Sequence, residues 1–253
     1  MNAQQYQLEI WNMKVAVKIS LLHSNIPSMY IMIYRQHFLL FYFQQIYNHF
    51  DSYCSQVNKI NQISLQFKNV LLPYQIPFGV LVDQYQSEDT FTPLELILIY
   101  QKESNFINLE DEIRNQIKFN QKLAAFGRYN HEGYGNPLKN SVIMKISDEN
   151  IVLNQIQSFE NIEDLQKYYG KLFESPKTGR YQLPIRIYFK KGGYFQTIIE
   201  LNDQKQTIGQ ALSTKLQGTS FLFNGLPLKT NIPALNFYDW LYSIDGFCYF
   251  VCE

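Results

Sequence analysis

An internal repeat constrains the fold of this chain of 253 residues more than any other feature. An ungapped offset of 156 residues carries the stretch around Pro77 onto the stretch around Pro233. It also aligns Asn69 with Gly225, two residue types that tolerate the positive φ of tight turns. The identities are Phe67 with Phe223, Leu72 with Leu228, Ile76 with Ile232, Pro77 with Pro233 and Asp83 with Asp239. The chain is therefore predicted to contain two copies of one structural unit.

The first copy has the pattern of strand, strand, helix, hairpin, helix and strand. Residues 11–22 alternate between apolar and polar side chains, with Val15, Val17 and Ile19 on one face, which is typical of a half-buried strand. The predicted elements after it are a strand at 29–34, a helix at 38–50, a hairpin at 63–72 that turns at Lys68 and Asn69, a proline-opened helix at 77–85 and a buried strand at 94–100.

The C-terminal part repeats this series. Its predicted elements are a strand at 183–189, a hairpin return at 192–201, a helix at 207–216, a hairpin at 219–228, a proline-opened helix at 232–241 and a closing strand at 247–252. This order describes an α+β fold of two ubiquitin-like (β-grasp) domains that flank a helix-rich region. The expected boundaries are 1–104, 105–176 and 177–253.

The central region has helical spacing. Asn108 is a favourable N-cap, the first turn is acidic, and Gly127 ends the run. Lys122 lies nine residues after Ile113, so it is expected on the side opposite the apolar stripe, with Lys118 nearby. A second helix is predicted from about residue 161. The stripe consists of Leu109, Ile113, Ile117 and Ala124.

Composition argues against several classes of function. The 22 basic and 22 acidic residues balance, so no overall field would recruit nucleic acid or an anionic membrane. The apolar run at 29–43 is interrupted by Arg35, Gln36 and His37, and it is too short to span a bilayer. Three cysteines and the lack of a secretory signal favour a reducing intracellular compartment.

No pattern of catalytic or metal-binding residues assembles in the sequence, and no cofactor is expected. Cys248 and Cys252 share one face of the last predicted strand and read as buried, reduced cysteines. The glycine-containing stretches at 190–195 and 224–228 lack phosphate-loop spacing and read as hairpin turns. Trp11 and Trp240 fit either a core or an interface. A Cys54–His49 nucleophilic pair has no local signature but stays open.

The ordered motifs resemble the autophagy protein 5 family over nearly the whole chain. The resemblance is carried by Pro77-x-Gly79-x-Leu81-x-Asp83, by Pro184-x-Arg186-Ile187-Tyr188, and by the series Pro233, Leu241, Asp245 and Phe247. Members of that family have two ubiquitin-like domains around a helix-rich region, which agrees with the layout read from the repeat.

The resemblance implies a scaffold of autophagy conjugation and not an enzyme in its own right. Such a protein accepts the C-terminal glycine of the ubiquitin-like protein 12 of the pathway on one lysine, and it binds the coiled-coil protein 16. The conjugate then promotes transfer of the ubiquitin-like protein 8 from its conjugating enzyme to phosphatidylethanolamine. The family's Lys-x-Ala pattern falls here on Lys122-Leu123-Ala124, so Lys122 is the implied acceptor and Lys118 the second candidate.

The resemblance also makes Trp11 and Arg35 candidate partner-binding residues. Met13, Ala16 and Tyr34 stand nearby where the family often has glycine, proline and proline. A cytoplasmic protein with a pool on the preautophagosomal membrane is the implied location.

Three alternatives remain open from the sequence. Protein 12 could be held without an isopeptide bond, as in some lineages of the family. The two ubiquitin-like modules could belong to an adaptor outside autophagy, or Cys54 could serve a cysteine hydrolase.

Overall fold

The structure is a computed structural model that describes residues 3–22, 24–53, 63–85, 92–100, 115–116, 119–120, 123–124 and 181–253. Two five-stranded sheets organise these residues, one in each copy of the repeat. Each sheet belongs to a ubiquitin-like domain, so the predicted α+β fold class is confirmed. The helical residues 115–116, 119–120 and 123–124, called here the central helical segment, come from the region between the domains. The predicted domain boundaries stay predictions.

The N-terminal sheet has the strand order β2-β1-β5-β3-β4. Its strands are β1 (Lys14–Leu21), β2 (Met29–Tyr34), β3 (Ile63–Phe67), β4 (Val70–Leu71) and β5 (Leu94–Tyr100). The helices of this part are α1 (Ala3–Asn12), a 3-10 turn (Leu39–Tyr42), α2 (Phe43–Asp51) and α3 (Phe78–Tyr85).

The C-terminal sheet has the equivalent order β7-β6-β10-β8-β9. Its strands are β6 (Tyr181–Phe189), β7 (Tyr194–Leu201), β8 (Phe221–Phe223), β9 (Leu226–Pro227) and β10 (Cys248–Cys252). Its helices are α4 (Ile208–Ser213) and α5 (Ala234–Leu241). The offset of 156 residues relates α3 to α5 and β4 to β9 residue for residue, so the repeat found in the sequence is a structural repeat.

Each sheet is built around a central parallel pair. In the N-terminal domain β1 runs parallel to β5, with Val17 opposite Leu94 and Ile19 opposite Leu96. Val17 and Ile19 are 1% and 0% exposed, whereas Ala16, on the other face of the strand, is exposed, as the alternation in the sequence predicts. In the C-terminal domain β6 and β10 form the matching parallel pair.

Aromatic side chains form much of the C-terminal core. The ring centroid of Phe237 on α5 lies 4.9 Å from that of Phe223 on β8 and 5.7 Å from that of Phe250 on β10. These contacts pin α5 to the inner face of the sheet. Cys248 and Cys252 on β10 are buried and are not joined in a disulfide, which agrees with their interpretation as buried reduced cysteines.

The sequence did not predict helix α1. Residues 3–12 are helical, so the predicted strand at 11–22 begins only at Lys14, and Trp11 lies in the last turn of the helix instead of opening the strand. Tyr6 and Ile10 of α1 are buried at 3% and 0% exposure, and this packing favours the helix. The helix predicted at 38–50 likewise opens with a 3-10 turn.

Both copies turn their hairpin through two residues with positive φ. Asn224 and Gly225 have φ of 51° and 86°, and Lys68 and Asn69 have 47° and 68°. Two successive positive φ values define the hairpin turn that follows the right-handed twist of the strands, and asparagine and glycine adopt it at least cost. Lys68 is the residue least suited to its position, because a long side chain disfavours the left-handed region.

We therefore expect Lys68→Asn to raise the free energy of unfolding by about 0.5 kcal/mol, since asparagine tolerates positive φ better than lysine. The measurement is the thermal unfolding midpoint of the full chain. Lys191→Asn is the matched control, because Lys191 is also an exposed lysine in a hairpin turn but does not have positive φ. An equal change in both variants would contradict the turn argument.

Candidate functional site

The candidate functional site is the set of contacts that join the two domains and the central helical segment. Two of the residues predicted from the sequence lie within it. Trp11 at the end of α1 donates its indole N–H to the backbone oxygen of Trp240 on α5 at 3.3 Å. Arg35, directly after β2, is 7% exposed and lies at the other contact between the domains. Lys122 and Lys118 lie outside the described residues.

Arg35 forms a buried ion pair with Asp83 of α3. Its Nη2 atom donates to Asp83 Oδ1 and, at 3.1 Å, to the backbone oxygen of Gly79 one turn earlier in the helix. The backbone N–H of Gly79 donates in return to the Arg35 oxygen at 2.7 Å. The loop after β2 is thus fixed to the start of α3 through both its backbone and its side chain.

The same carboxylate reaches the C-terminal domain. Asp83 Oδ2 accepts the backbone N–H of Gly225, in the β8–β9 turn, at 2.8 Å. One residue further along α3, Gln84 donates its side-chain amide to the backbone oxygen of Phe189, at the end of β6, at 3.0 Å. Helix α3 therefore makes hydrogen bonds to two parts of the C-terminal domain. Because hydrogen bonds are directional, these two bonds fix the orientation of α3 relative to that domain.

Two glycines make this close approach possible. A Cβ atom on Gly79 would lie 2.8 Å from Cβ of Arg35, and one on Gly225 would lie 2.8 Å from Cζ of Arg35. Both distances are shorter than real carbon contacts allow. Packing against Arg35 therefore requires a glycine at position 79, which is one of the residues that carry the family resemblance.

Burial and charge act against each other at Asp83. Burial raises the pKa of its carboxyl above the ordinary value, while the Arg35 guanidinium and the Gly225 N–H oppose the rise. Both of these donors therefore stabilise the charged form of the buried carboxyl.

A second buried ion pair lies on the face of the C-terminal sheet opposite to helix α5. Arg186 in the middle of β6 donates through Nη1 to Asp245 Oδ2 at 3.2 Å and to the Tyr249 hydroxyl at 2.8 Å. The Tyr249 hydroxyl donates to Asp245 Oδ2 at 2.5 Å. Burial raises the pKa of Asp245, with Arg186 opposing the rise, and burial together with Asp245 raises the pKa of Tyr249 well above its ordinary value.

The central helical segment joins this second network through Asn120. Its Oδ1 accepts from Arg186 Nη2 at 2.8 Å, and its Nδ2 donates to Asp245 Oδ2 at 3.1 Å. Asn120 is 1% exposed and Ala124 is fully buried, while Phe119 is 56% exposed. The segment therefore turns one face toward the C-terminal sheet and the opposite face toward solvent.

Sequence reasoning missed the roles of Arg186, Asp245 and Asn120. Arg186 and Asp245 carried the family resemblance, and an arginine between two isoleucines of a buried strand is itself a signal for a buried partner. Asn120 gave no such signal, because an asparagine in an exposed-looking stretch of a helix is ordinary.

The described residues give little support to a Cys–His nucleophilic pair, a metal site or a membrane-spanning helix. His49 is hydrogen-bonded through Nε2 to the Pro27 oxygen at 3.3 Å, and Cys54 lies outside the described residues. In the described ranges, no cluster of three or more His, Cys, Asp or Glu could hold a metal ion. None of the helices in those ranges is long and apolar enough to cross a membrane.

Comparison with known proteins agrees with the two-domain description. Residues 10–100 match the family model described as Autophagy protein ATG5, UblA domain, and residues 182–252 match Autophagy protein ATG5, UblB domain. The crystal structure of Kluyveromyces marxianus Atg5 matches with a TM-score of 0.78 at 19% identity, over 99% of this chain and 100% of that one. At this identity the structural likeness concerns the fold. No curated protein matches the sequence.

The interdomain contact generates a prediction at Gly225. We expect Gly225→Ala to lower the free energy of unfolding by about 2–3 kcal/mol, because a methyl group adds overlap with Arg35 to the strain of a positive φ. Urea unfolding of the full chain measures the loss.

Gly218→Ala is the matched control for this variant. Gly218 also has positive φ, 71°, but a Cβ there would meet nothing within 4 Å. The free energy of unfolding of Gly218→Ala should therefore fall only by the cost of a positive φ for alanine, about 1 kcal/mol. Equal losses in the two variants would show that the approach of Arg35 to Gly225 does not constrain the chain.

Proposed function

The chain belongs to the autophagy protein 5 family, and from this premise we propose that it is the acceptor scaffold of an autophagy conjugation system. In this proposal the ubiquitin-like protein 12 is joined to Lys122 by an isopeptide bond, and the coiled-coil protein 16 binds the same scaffold. The complex then promotes transfer of the ubiquitin-like protein 8 to phosphatidylethanolamine during autophagosome formation.

The orientation of the central helical segment is the observation that supports this proposal most directly. Asn120 and Ala124 are buried, whereas Asn115 and Phe119 are exposed. By helical spacing Lys122 follows Asn115 by seven residues and Phe119 by three, which predicts the same exposed side for it. An acceptor amine has to be exposed to reach a bulky donor complex.

The proposed reaction needs no catalytic group from this chain. The neutral Lys122 amine would attack the thioester carbon that links the terminal glycine of protein 12 to a cysteine of its conjugating enzyme. A C–N bond forms, the C–S bond breaks, the cysteine leaves as a thiolate, and the proton lost by the amine restores the thiol. A second lysine four residues away favours the neutral amine, since two adjacent positive charges repel each other.

The proposal makes this chain a non-catalytic subunit, cytoplasmic with a pool on the preautophagosomal membrane. Trp11 and Arg35 stay predictions as partner-binding residues. Their internal roles at the domain contacts mean that substitution of either would also alter the scaffold. A partner-binding defect in such a variant would therefore need a folding control.

We expect Lys122→Arg to remove nearly all of the conjugate and to leave at most a minor product at Lys118, because the guanidinium keeps the positive charge but is not a competent nucleophile at neutral pH. The measurement is the mobility shift formed by the purified full chain with protein 12, its activating and conjugating enzymes and ATP.

Lys118→Arg is the matched control and should conjugate like the wild type. A shift that survives in Lys122→Arg but is lost in Lys118→Arg would move the acceptor to Lys118. If no variant and no wild-type chain forms a shift while protein 12 co-purifies, the non-covalent form of the scaffold holds instead.

A further inference from the structure

Asn120 is the single polar side chain of the described central helical segment that is buried, and both ends of its amide are used. The oxygen accepts from Arg186 Nη2 at 2.8 Å and from Gln116 Nε2 at 3.2 Å. The nitrogen donates to Asp245 Oδ2 at 3.1 Å. An amide that bridges a cation and an anion fits in one orientation only, because its donor must face the carboxylate and its acceptor the guanidinium.

The partners of Asn120 are held in place by the C-terminal domain itself. Arg186 also donates through Nε to Gln196 on β7 at 2.8 Å, and its guanidinium lies 4.2 Å from the ring centroid of Phe247. Asp245 accepts the backbone N–H of Phe247 at 3.3 Å in addition to the Tyr249 hydroxyl. The receiving surface is therefore prearranged, and the helical segment supplies only the amide.

Such a contact fixes both the rotation of a helix and its position along its axis. Lys118 and Lys122 flank Asn120 by two residues on either side in the sequence, and on an ideal helix residues four apart would be about 40° apart around the axis and about 6 Å apart along it. A modest rotation or slide of the segment would exchange the two lysines at a fixed point in space.

We propose that Asn120 is a positioning residue that, through Arg186 and Asp245, sets the register of the central helical segment on the C-terminal domain and so selects Lys122 over Lys118 as the acceptor. This inference rests on the proposed function. Asn120 acts through the placement of the helix and does not touch the reacting atoms.

The test measures where protein 12 becomes attached. Full-length wild-type chain and Asn120→Leu are conjugated in the reconstituted reaction, and the isopeptide-linked peptides at Lys122 and Lys118 are quantified by mass spectrometry. In Asn120→Leu we expect the ratio of Lys122 to Lys118 linkage to fall about tenfold, because leucine has a similar size but bonds neither Arg186 nor Asp245. The single-turnover rate of Asn120→Leu, measured at a saturating concentration of the charged conjugating enzyme, should also fall. The concentration of charged conjugating enzyme that gives half of the maximal rate should change little.

Two controls separate positioning from general destabilisation. Asn115→Leu makes the same chemical change at an exposed position of the same segment, and its linkage ratio should equal that of the wild type. Leu212→Ala creates a cavity at a fully buried position of α4 that does not belong to the Asn120 network, so it destabilises the domain without altering the ratio. A ratio that shifts equally in Leu212→Ala and Asn120→Leu would overturn the inference, as would an unchanged ratio and rate in Asn120→Leu.

Failure of the proposed function gives a different result. If the wild-type chain forms no isopeptide bond, the proposed acceptor function is wrong, and the proposed selection of Lys122 over Lys118 is wrong as well. The seating of the segment is then judged by amide hydrogen exchange at residues 115–124, which Asn120→Leu should accelerate about tenfold or more over Asn115→Leu. Equal exchange in these two variants would refute the seating role as well.

Discussion

The arrangement of the two β-grasp domains depends on the buried ion pair between Arg35 and Asp83. Removing a guanidinium and a carboxylate from water costs several kcal/mol per ion, and close contact between the charges together with further hydrogen bonds to them offsets this cost. Here one oxygen of the Asp83 carboxylate accepts from Arg35, and the other accepts the Gly225 N–H of the other domain. A change in the angle between the domains would therefore leave a buried carboxylate short of a donor, and this penalty holds the domains in one relation.

The Arg186–Asp245 pair applies the same physical rule to the central helical segment. Apolar faces tolerate small slides, because dispersion attraction has no preferred direction and a displaced side chain finds new apolar neighbours. Hydrogen bonds to buried charges do not tolerate such slides, because their strength falls steeply as the distance lengthens and the angle bends. The three parts of the chain are thus joined by directional polar contacts placed at their junctions, and Trp11 with Trp240 adds another between α1 and α5.

Apart from helix α1, the main elements of both domains could be predicted from the sequence, since their apolar periodicity and turn residues agree with the packing. The offset of 156 residues even anticipated that α3 and α5 are equivalent. Helix α1 was missed because its stability comes from burial of Tyr6 and Ile10 and not from a strong local pattern. The junctions were missed for a related reason. Asp83 and Asp239 are equivalent in the repeat, yet Asp83 bridges Arg35 and the other domain, and no single-chain pattern distinguishes them. Contacts between residues 142 positions apart, such as Asp83 with Gly225, leave no local signature.

The proposed acceptor role would account for the lack of a catalytic pattern in the sequence. The energy for the new amide bond is already stored in a thioester on another protein, so the acceptor contributes a nucleophile and its position. Position matters strongly, because a misplacement of about 1 Å can cost about 100-fold in rate. A scaffold under that requirement gains more from buried polar contacts at its domain junctions than from reactive groups in a cleft. The networks of Arg35 and Arg186 are therefore where the functional constraint on this chain is expected to act, although neither contains a group that reacts.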